Sequence, residues 1–300
     1  MQTLYTLESM GNATPEGYQQ GVSILNDKLK RGMDLLVISL SYFQHIAEYV
    51  VLHAAQKASK YLPTQEDLNV NTKLAGNTFL KQLTANASYN NYVQEPTVAH
   101  AVNNEWVKKL FLQLIDTDAY QSYIESEDRT IAKEKEIFRF VWEKIMLENE
   151  SFMEYFSEEL TGWEDDKEMT IMLMENLFKS NAKVNFNRLI SEEKEAYSHE
   201  LLRTVLEKDE FCKSLIHPKL SNWDTERVAL IDLLLLKMGV CELLFFPTIP
   251  TKVTINEYIE IAKRYSTPQS GQFVNGVLDN ILKDLVKENK INKQERSRKS

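Results

Sequence analysis

The feature that most restricts the fold of this chain is one long apolar run, VALIDLLLLKMGVCELLFF, at residues 228–246. Asp232, Lys237 and Glu242 divide the run. Charged side chains in the middle of a bilayer are costly, so a membrane span is disfavoured. A helix that is apolar on nearly every side must then be enclosed by other helices of the same protein. The run therefore predicts a central core helix and no membrane association.

A second long pattern, in residues 17–60, also indicates a helix. Its apolar side chains recur at steps of three and four residues from Val22 to Ala54. Unbroken, this helix would extend over roughly 65 Å, and Pro63 with the polar stretch after it would end it. Residues 73–185 predict several shorter helices, and no strand pattern of useful length occurs. With only 9 Gly and 7 Pro in 300 residues, long elements are favoured, and the predicted fold class is all-α.

The charge and the motifs argue against several functions. The formal net charge is -9, which disfavours non-specific nucleic-acid binding and suits a basic protein partner. The chain contains no phosphate-binding glycine motif, no nucleophile elbow and no histidines at metal-ligand spacing. Cys212 and Cys241 lie in apolar helical contexts, so we expect a reducing, cytoplasmic location and no disulfide framework. No catalytic residue, cofactor or metal site is predicted.

The stretch FVNG, residues 273–276, raises a separate question, because it places a glycine in the middle of a predicted helix. That helix is expected over residues 269–286, with Thr267 and Pro268 at its start. A glycine within it costs about 1 kcal/mol relative to alanine, so something must approach the backbone closely. The approach can come from a neighbouring helix, with Phe273 at the edge of the core, or from a ligand.

One flank of this helix fits a ligand of a specific kind. The core stripe is formed by Val274, Leu278, Ile281 and Leu285, and the flank beside it by Gln269, Gln272, Phe273, Gly276, Asn280 and Lys283. As a nucleic-acid face, the flank would stack Phe273 on a base and read base edges with its amides. Lys283 and Lys252 would hold phosphate.

The sequence around this helix resembles a known family. IPTKVTINEYIEIAKRYS, FVNGVLD and the preceding helix, ERVALIDLLLL, resemble the C-terminal half of the NusB family of bacterial transcription antitermination factors. The resemblance covers residues 194–286, and MQTLY at the start resembles the end of the family's first helix. It implies an all-α bundle of two packed subdomains, here enlarged by a large helical insertion.

The resemblance also implies a function without catalysis. NusB-family proteins pair with NusE, a ribosomal protein of the small subunit. The pair binds the boxA element of ribosomal RNA leaders and helps RNA polymerase to read through terminators in an antitermination complex. Two alternatives stay open: a helical protein-binding scaffold that does not bind RNA, and a NusB-like RNA-binding module of an RNA-modifying system.

The family's functional positions carry over onto particular residues. Phe273 matches the RNA-contacting aromatic, Gln269 the RNA-side helix start and Lys252 a basic position near the same face. Glu226 and Asp232 match acidic positions on the helix that meets NusE, although the apolar neighbours of Asp232 favour a structural bond for it instead. The predicted RNA-binding residues are Gln2, Lys252, Gln269, Gln272, Phe273, Asn275 and Lys283.

The chain departs from the family pattern at its start, because no arginine-rich segment precedes Met1 and Gln2. We expect the native reading frame to extend upstream and to supply Arg or Lys residues. Leu233 stands where an arginine often follows the aspartate, and Cys241 replaces a usual tyrosine. The expected regions are residues 1–190 with the long helix and the insertion, residues 191–288 as the NusB-like domain, and residues 289–300 as a basic, disordered tail.

Overall fold

The computed structural model describes residues 1–180, 184–188, 190–220 and 228–294 of the chain. Every regular element among these residues is a helix, so the all-α prediction is confirmed. The chain divides into two compact units. We call them the terminal unit, residues 1–27 and 190–300, and the inserted unit, residues 28–189.

Over its described residues, the terminal unit contains six α-helices and the first part of another. They are α1 (Gln2–Ser9), the start of α2 (Tyr18–Ala58), α11 (Glu192–Glu207), α12 (Asp209–Ile216), α13 (Leu230–Phe245), α14 (Thr251–Tyr265) and α15 (Ser270–Lys287). A short 3-10 turn, Pro15–Gly17, precedes α2, and another, His217–Lys219, follows α12.

The core of the terminal unit forms around α13, as the apolar run predicts. Most of its apolar side chains are buried, among them Leu234, Leu235 and Val240. The charged side chains within it are buried too and find partners. Lys237 Nζ lies 2.6 Å from Asp209 Oδ1, and the Glu242 carboxylate accepts hydrogen bonds from two tyrosine hydroxyls. These bonds explain how a core helix accommodates charge, since a buried charge is tolerated only when it is paired.

The first residues of the chain belong with its last third. Leu4 and Leu7 of α1 are buried in one apolar cluster with Leu202 and Leu206 of α11. Gly21 supports the same packing, because a Cβ there would lie 2.9 Å from Leu7 Cδ1. The division thus differs from the expected one, which placed all of residues 1–190 together. Contacts between segments so far apart in sequence leave no mark in a local pattern.

The segment after α15 also differs from the expected disordered tail over its described part. Lys293 Nζ donates to the carbonyl oxygens of Glu242 and Phe246, at 2.8 and 2.9 Å. The Gln294 amide donates to the Pro247 carbonyl at 2.9 Å. A lysine at the last carbonyls of a helix is favourable because those groups lack partners within the helix. Residues 295–300 lie outside the described residues.

The described part of the inserted unit consists of the rest of α2 and eight further α-helices. They are α3 (Gln65–Leu68), α4 (Thr78–Thr84), α5 (Ala87–Val93), α6 (Asn104–Ile115), α7 (Asp118–Glu125), α8 (Ile131–Phe140), α9 (Glu150–Glu159) and α10 (Trp163–Lys179). A π-helical segment, Val141–Met146, continues α8.

Two features hold the inserted unit together. Its core is rich in aromatic rings, with Phe43 of α2 packed 5.2 Å from Phe138, centroid to centroid, and Tyr42 5.2 Å from Phe152. Side-chain caps start several of its helices, because an Asn or Thr oxygen accepts the first free amides. The capping residues are Thr64, Asn77, Asn86, Asn103, Thr117 and Asn149.

Among the described helices, the segment Pro15–Ala58 is long and apolar enough to cross a membrane by length and composition alone. Its most apolar window is 67% buried inside the protein. Core helices of soluble proteins share this property, so the finding is weak evidence for a membrane. The run at residues 228–246 is an enclosed core helix, as predicted.

Candidate nucleic-acid interface

A hydrogen-bonded turn fixes the start of α15. Ser270 is 1% exposed, and its hydroxyl donates to Asp232 Oδ2 of α13 at 2.7 Å. The Thr267 amide donates to Ser270 Oγ at 3.2 Å. The chain turns at Thr267 as predicted, but the helix itself begins at Ser270, with Gln269 as its N-cap. The buried bond between Ser270 and Asp232 positions the candidate interface on the core.

The outward face of α15 is lined by amides. Gln269, Gln272, Asn275, Asn280 and Lys283 are all exposed. Steps of three residues join Gln269, Gln272 and Asn275, and Gly276 leads on to Asn280 and Lys283 by steps of four and three, so these positions lie on one side of the helix. The structure therefore brings together five of the polar residues that the sequence singled out.

Gly276 lies within this face, and no neighbouring helix explains it. A Cβ built at Gly276 would meet no heavy atom of the described residues within 4 Å. The same construction at Gly239 of α13 meets Leu278 Cδ1 at 2.9 Å, and at Gly271 it meets Lys263 Cγ at 3.0 Å. Packing against a helix of the described residues, one of the two explanations for this mid-helix glycine, therefore does not account for it.

Phe273 is buried, whereas stacking on a base requires an exposed ring. Its side chain is 5% exposed and belongs to the apolar core of the terminal unit, together with Val274 and Val277. Position 273 stands at the border between the polar face and the core stripe, where a large ring gains more by turning inward. In this structure Phe273 supports the polar face from beneath and offers no ring surface to a base, so the predicted stacking is corrected.

The two predicted phosphate-binding lysines lie at one end of the α14–α15 hairpin. Lys252 is exposed in the first turn of α14, and Lys283 is exposed near the end of α15. The two helices are consecutive and run in opposite directions, which puts these positions at the same end. Lys283 Nζ lies 2.6 Å from Asp279 Oδ2, and this ion pair is open to solvent. Solvent-exposed ion pairs stabilise the folded state by about 1 kcal/mol or less. Lys283 can therefore leave Asp279 and bind another anion such as a phosphate.

The remaining predicted residues lie away from this face. Gln2 is the first residue of α1, is half-buried, and accepts a hydrogen bond from Thr6 Oγ1 at its carbonyl oxygen. Asp232 is 5% exposed and accepts the hydrogen bond from the Ser270 hydroxyl. It therefore presents no carboxylate to a partner, and its predicted partner contact is corrected. Glu226 lies outside the described residues.

A cavity of about 600 Å³ lies elsewhere in the terminal unit, between α1, α11, α13 and α14. Its walls are mainly apolar, and Glu242, Tyr197 and Tyr258 supply its polar groups. The hydroxyls of both tyrosines donate to Glu242 Oε2, Tyr258 at 3.3 Å. Burial and the adjacent carboxylate raise the pKa of Tyr197 and of Tyr258. Among the described residues, no group of three His, Cys, Asp or Glu side chains is placed to hold a metal ion.

The fold is that of an all-α protein, and a row of amides and a lysine on α15 faces the solvent. Comparison with known proteins then identifies the family. The model of the NusB family matches residues 157–283. This match starts inside α9, earlier than the resemblance at residues 194–286 suggested.

Three relatives, each called transcription antitermination protein NusB, show the same similarity. The protein of Salinibacter ruber is 47% identical over 97 residues, which are 32% of this chain and 61% of that protein. The Methylacidiphilum infernorum protein is 42% identical over 100 residues, 33% of this chain and 69% of that protein. The Listeria monocytogenes protein is 38% identical over 93 residues, which are 31% of this chain and 73% of that protein. The chain belongs to the NusB family, and its match spans 61% of the length of the Salinibacter protein.

A solved structure of T. maritima NusB is also similar. It is 32% identical in sequence, and the similarity covers 40% of this chain and 82% of that chain, with a TM-score of 0.31.

Proposed function

We propose that this protein is a transcription antitermination factor that binds boxA RNA of ribosomal RNA leaders together with NusE. It would act in the antitermination complex of RNA polymerase in the cytoplasm and would catalyse no reaction. Family membership supports the antitermination role, because the relatives carry that name. The boxA element and NusE come from the resemblance of residues 194–286, and the geometry of α15 supports an RNA contact.

The observation that carries the proposal is the open space at Gly276. A glycine in a helix interior destabilises the helix by about 1 kcal/mol relative to alanine. Packing within the described protein does not offset that cost at Gly276, whereas it does at Gly239 and Gly271. A ligand that approaches the helix backbone would require a residue without a Cβ at this position. The amides of Gln272 and Asn275 beside it can donate to and accept from base edges, as single-stranded RNA requires.

The charge of the face explains why a partner is needed. Phosphate affinity comes from Lys and Arg that displace counterions. Lys283 is paired with Asp279, and the chain as a whole carries a net charge of -9. The protein alone should therefore bind RNA weakly, with a shallow dependence on salt. A basic partner such as NusE would raise the affinity and steepen that dependence.

The test is a titration of boxA RNA and of a base-scrambled RNA, with and without NusE, at several salt concentrations. Lys252→Ala and Lys283→Ala should each reduce the slope of log K against log salt by roughly 0.7 for every phosphate that the side chain neutralises in the wild-type complex. Lys194→Ala is the matched control, since it removes the same charge from an exposed site on α11. It should leave the slope unchanged.

The outcomes separate the proposal from its alternatives. Preference for boxA over scrambled RNA in the presence of NusE supports the proposal. NusE binding without any RNA binding by the complex would contradict the RNA contact and favour the scaffold function. Equal effects of Lys194→Ala and Lys283→Ala would contradict the location of the RNA on α15.

A further inference from the structure

The two cysteines of the chain meet in the core of the terminal unit. Cys212 lies on α12 and Cys241 on α13, and both side chains are fully buried. Their Sγ atoms are 3.4 Å apart, closer than ordinary van der Waals contact, yet the two thiols are free. They are the only cysteines in the sequence. The proposed RNA face uses neither of them.

We propose that this pair is a redox modification site, at which hydrogen peroxide forms an intramolecular disulfide between Cys212 and Cys241. The inference is independent of the RNA-binding proposal. The disulfide would join α12 covalently to α13.

The chemistry proceeds in two balanced steps. The Cys212 thiolate attacks one peroxide oxygen, so that an S–O bond forms, the O–O bond breaks and the hydroxide that leaves takes up the proton released by the thiol. The Cys241 sulfur then attacks the resulting sulfenic acid, forming the S–S bond as water leaves with the Cys241 proton. Two thiols are oxidised and one peroxide is reduced to two waters.

The groups around the two thiols indicate which cysteine attacks the peroxide and which one resolves the sulfenic acid. The contact between the two thiols lowers the pKa of Cys212 against the effect of burial, while the same contact and burial raise the pKa of Cys241. The Lys237 ammonium also favours the Cys212 thiolate, and Asp209, its partner at 2.6 Å, opposes this effect. Cys212 is therefore the attacking thiol and Cys241 the resolving one, because the thiolate is the nucleophile.

The geometry requires only a small movement. A disulfide holds its sulfur atoms at about 2.05 Å. The two sulfurs start at 3.4 Å and lie on different helices, so forming the bond requires them to approach by roughly 1.4 Å. The closed loop contains the link between the two helices. Cross-linking such a loop restricts the unfolded chain and stabilises the native state.

The experiment treats the full-length reduced protein with hydrogen peroxide and examines it by intact mass, peptide mapping and non-reducing electrophoresis. We expect a mass decrease of about 2 Da, one peptide pair joined through Cys212 and Cys241, and no covalent dimer. The melting temperature should rise by roughly 10 °C and return after dithiothreitol. Cys241→Ser should abolish both the cross-link and the rise. Because the main readouts use wild-type protein, poor folding of that variant does not affect them.

Three results would each overturn the proposal. One is a mass increase from sulfinic or sulfonic acid without a cross-link. A second is a covalent dimer through either cysteine. The third is a protein that keeps both thiols after incubation with peroxide for long enough that the core, which buries both side chains, has opened many times.

Discussion

Two parts of the terminal unit use glycine in opposite ways, and the difference distinguishes the core from the interface. Gly239 lies on α13 against Leu278, where a Cβ would come within 2.9 Å of another side chain. Gly276 lies on the polar face of α15, where a Cβ would meet nothing within 4 Å among the described residues. The first glycine serves the packing of the protein, whereas the second leaves space that the protein does not fill. A mid-helix glycine therefore indicates a ligand only after packing has been checked.

Phe273→Ala should have the strongest effect, and it tests whether this ring belongs to the core or to the interface. The change should reduce the free energy of unfolding by roughly 3–5 kcal/mol, because it removes a buried ring from the core. RNA affinity, measured on the folded fraction with NusE present, should stay unchanged. Thermal melting and a boxA titration check both. A normal melting temperature with RNA affinity reduced by roughly 1–3 kcal/mol would instead restore the stacking role.

The connection between core and interface depends on Asp232. Asp232→Ala should reduce the free energy of unfolding by roughly 1–3 kcal/mol, because the buried Ser270 hydroxyl then loses its charged acceptor. The affinity of the folded protein for NusE should not change. Glu226→Lys is the contrasting variant, and we expect it to weaken NusE binding by roughly 1–3 kcal/mol with little effect on stability. Calorimetry of both variants against NusE would contradict this assignment if their effects were reversed.

The difference between the two glycines can be measured directly. Gly239→Ala and Gly276→Ala gain the same helix propensity, so that contribution cancels when the two variants are compared. Gly239→Ala should be the less stable by roughly 1–3 kcal/mol, because its methyl group overpacks against the buried Leu278. Denaturant unfolding of the two variants provides the measurement. Equal stabilities would show that Leu278 yields to the methyl group and that Gly239 is not needed for packing.

Long regular patterns were predicted well from the sequence. The pattern over residues 17–60 corresponds to α2, Tyr18–Ala58, and the apolar run corresponds to α13, Leu230–Phe245. Both are strongly periodic or apolar over many residues, so local information suffices. The polar residues of the α15 face were found for the same reason, since helical spacing alone aligns Gln269, Gln272 and Lys283.

Contacts between distant segments could not be predicted. Phe273 lies at the border of the polar face, and spacing alone does not show whether a border ring turns inward. The partner of Asp232 is Ser270, which the sequence did not single out, although the apolar neighbours of Asp232 indicated a structural bond. The packing of α1 on α11 joins residues that lie far apart in the chain. Each of these depends on tertiary structure.

The role of Gly276 in RNA binding can be tested by measuring stability and boxA affinity together for Gly276→Ala. We predict that this variant gains roughly 0.5–1 kcal/mol in the free energy of unfolding, because alanine is the better helix former and meets no neighbour. We also predict weaker boxA binding in the presence of NusE, because the methyl group occupies the space through which RNA approaches the backbone. Val51→Ala, at an exposed position of α2 and not on the polar face of α15, is the control and should leave RNA affinity unchanged. A Gly276→Ala protein that is more stable and binds boxA RNA as tightly as wild type would contradict a ligand role for this glycine.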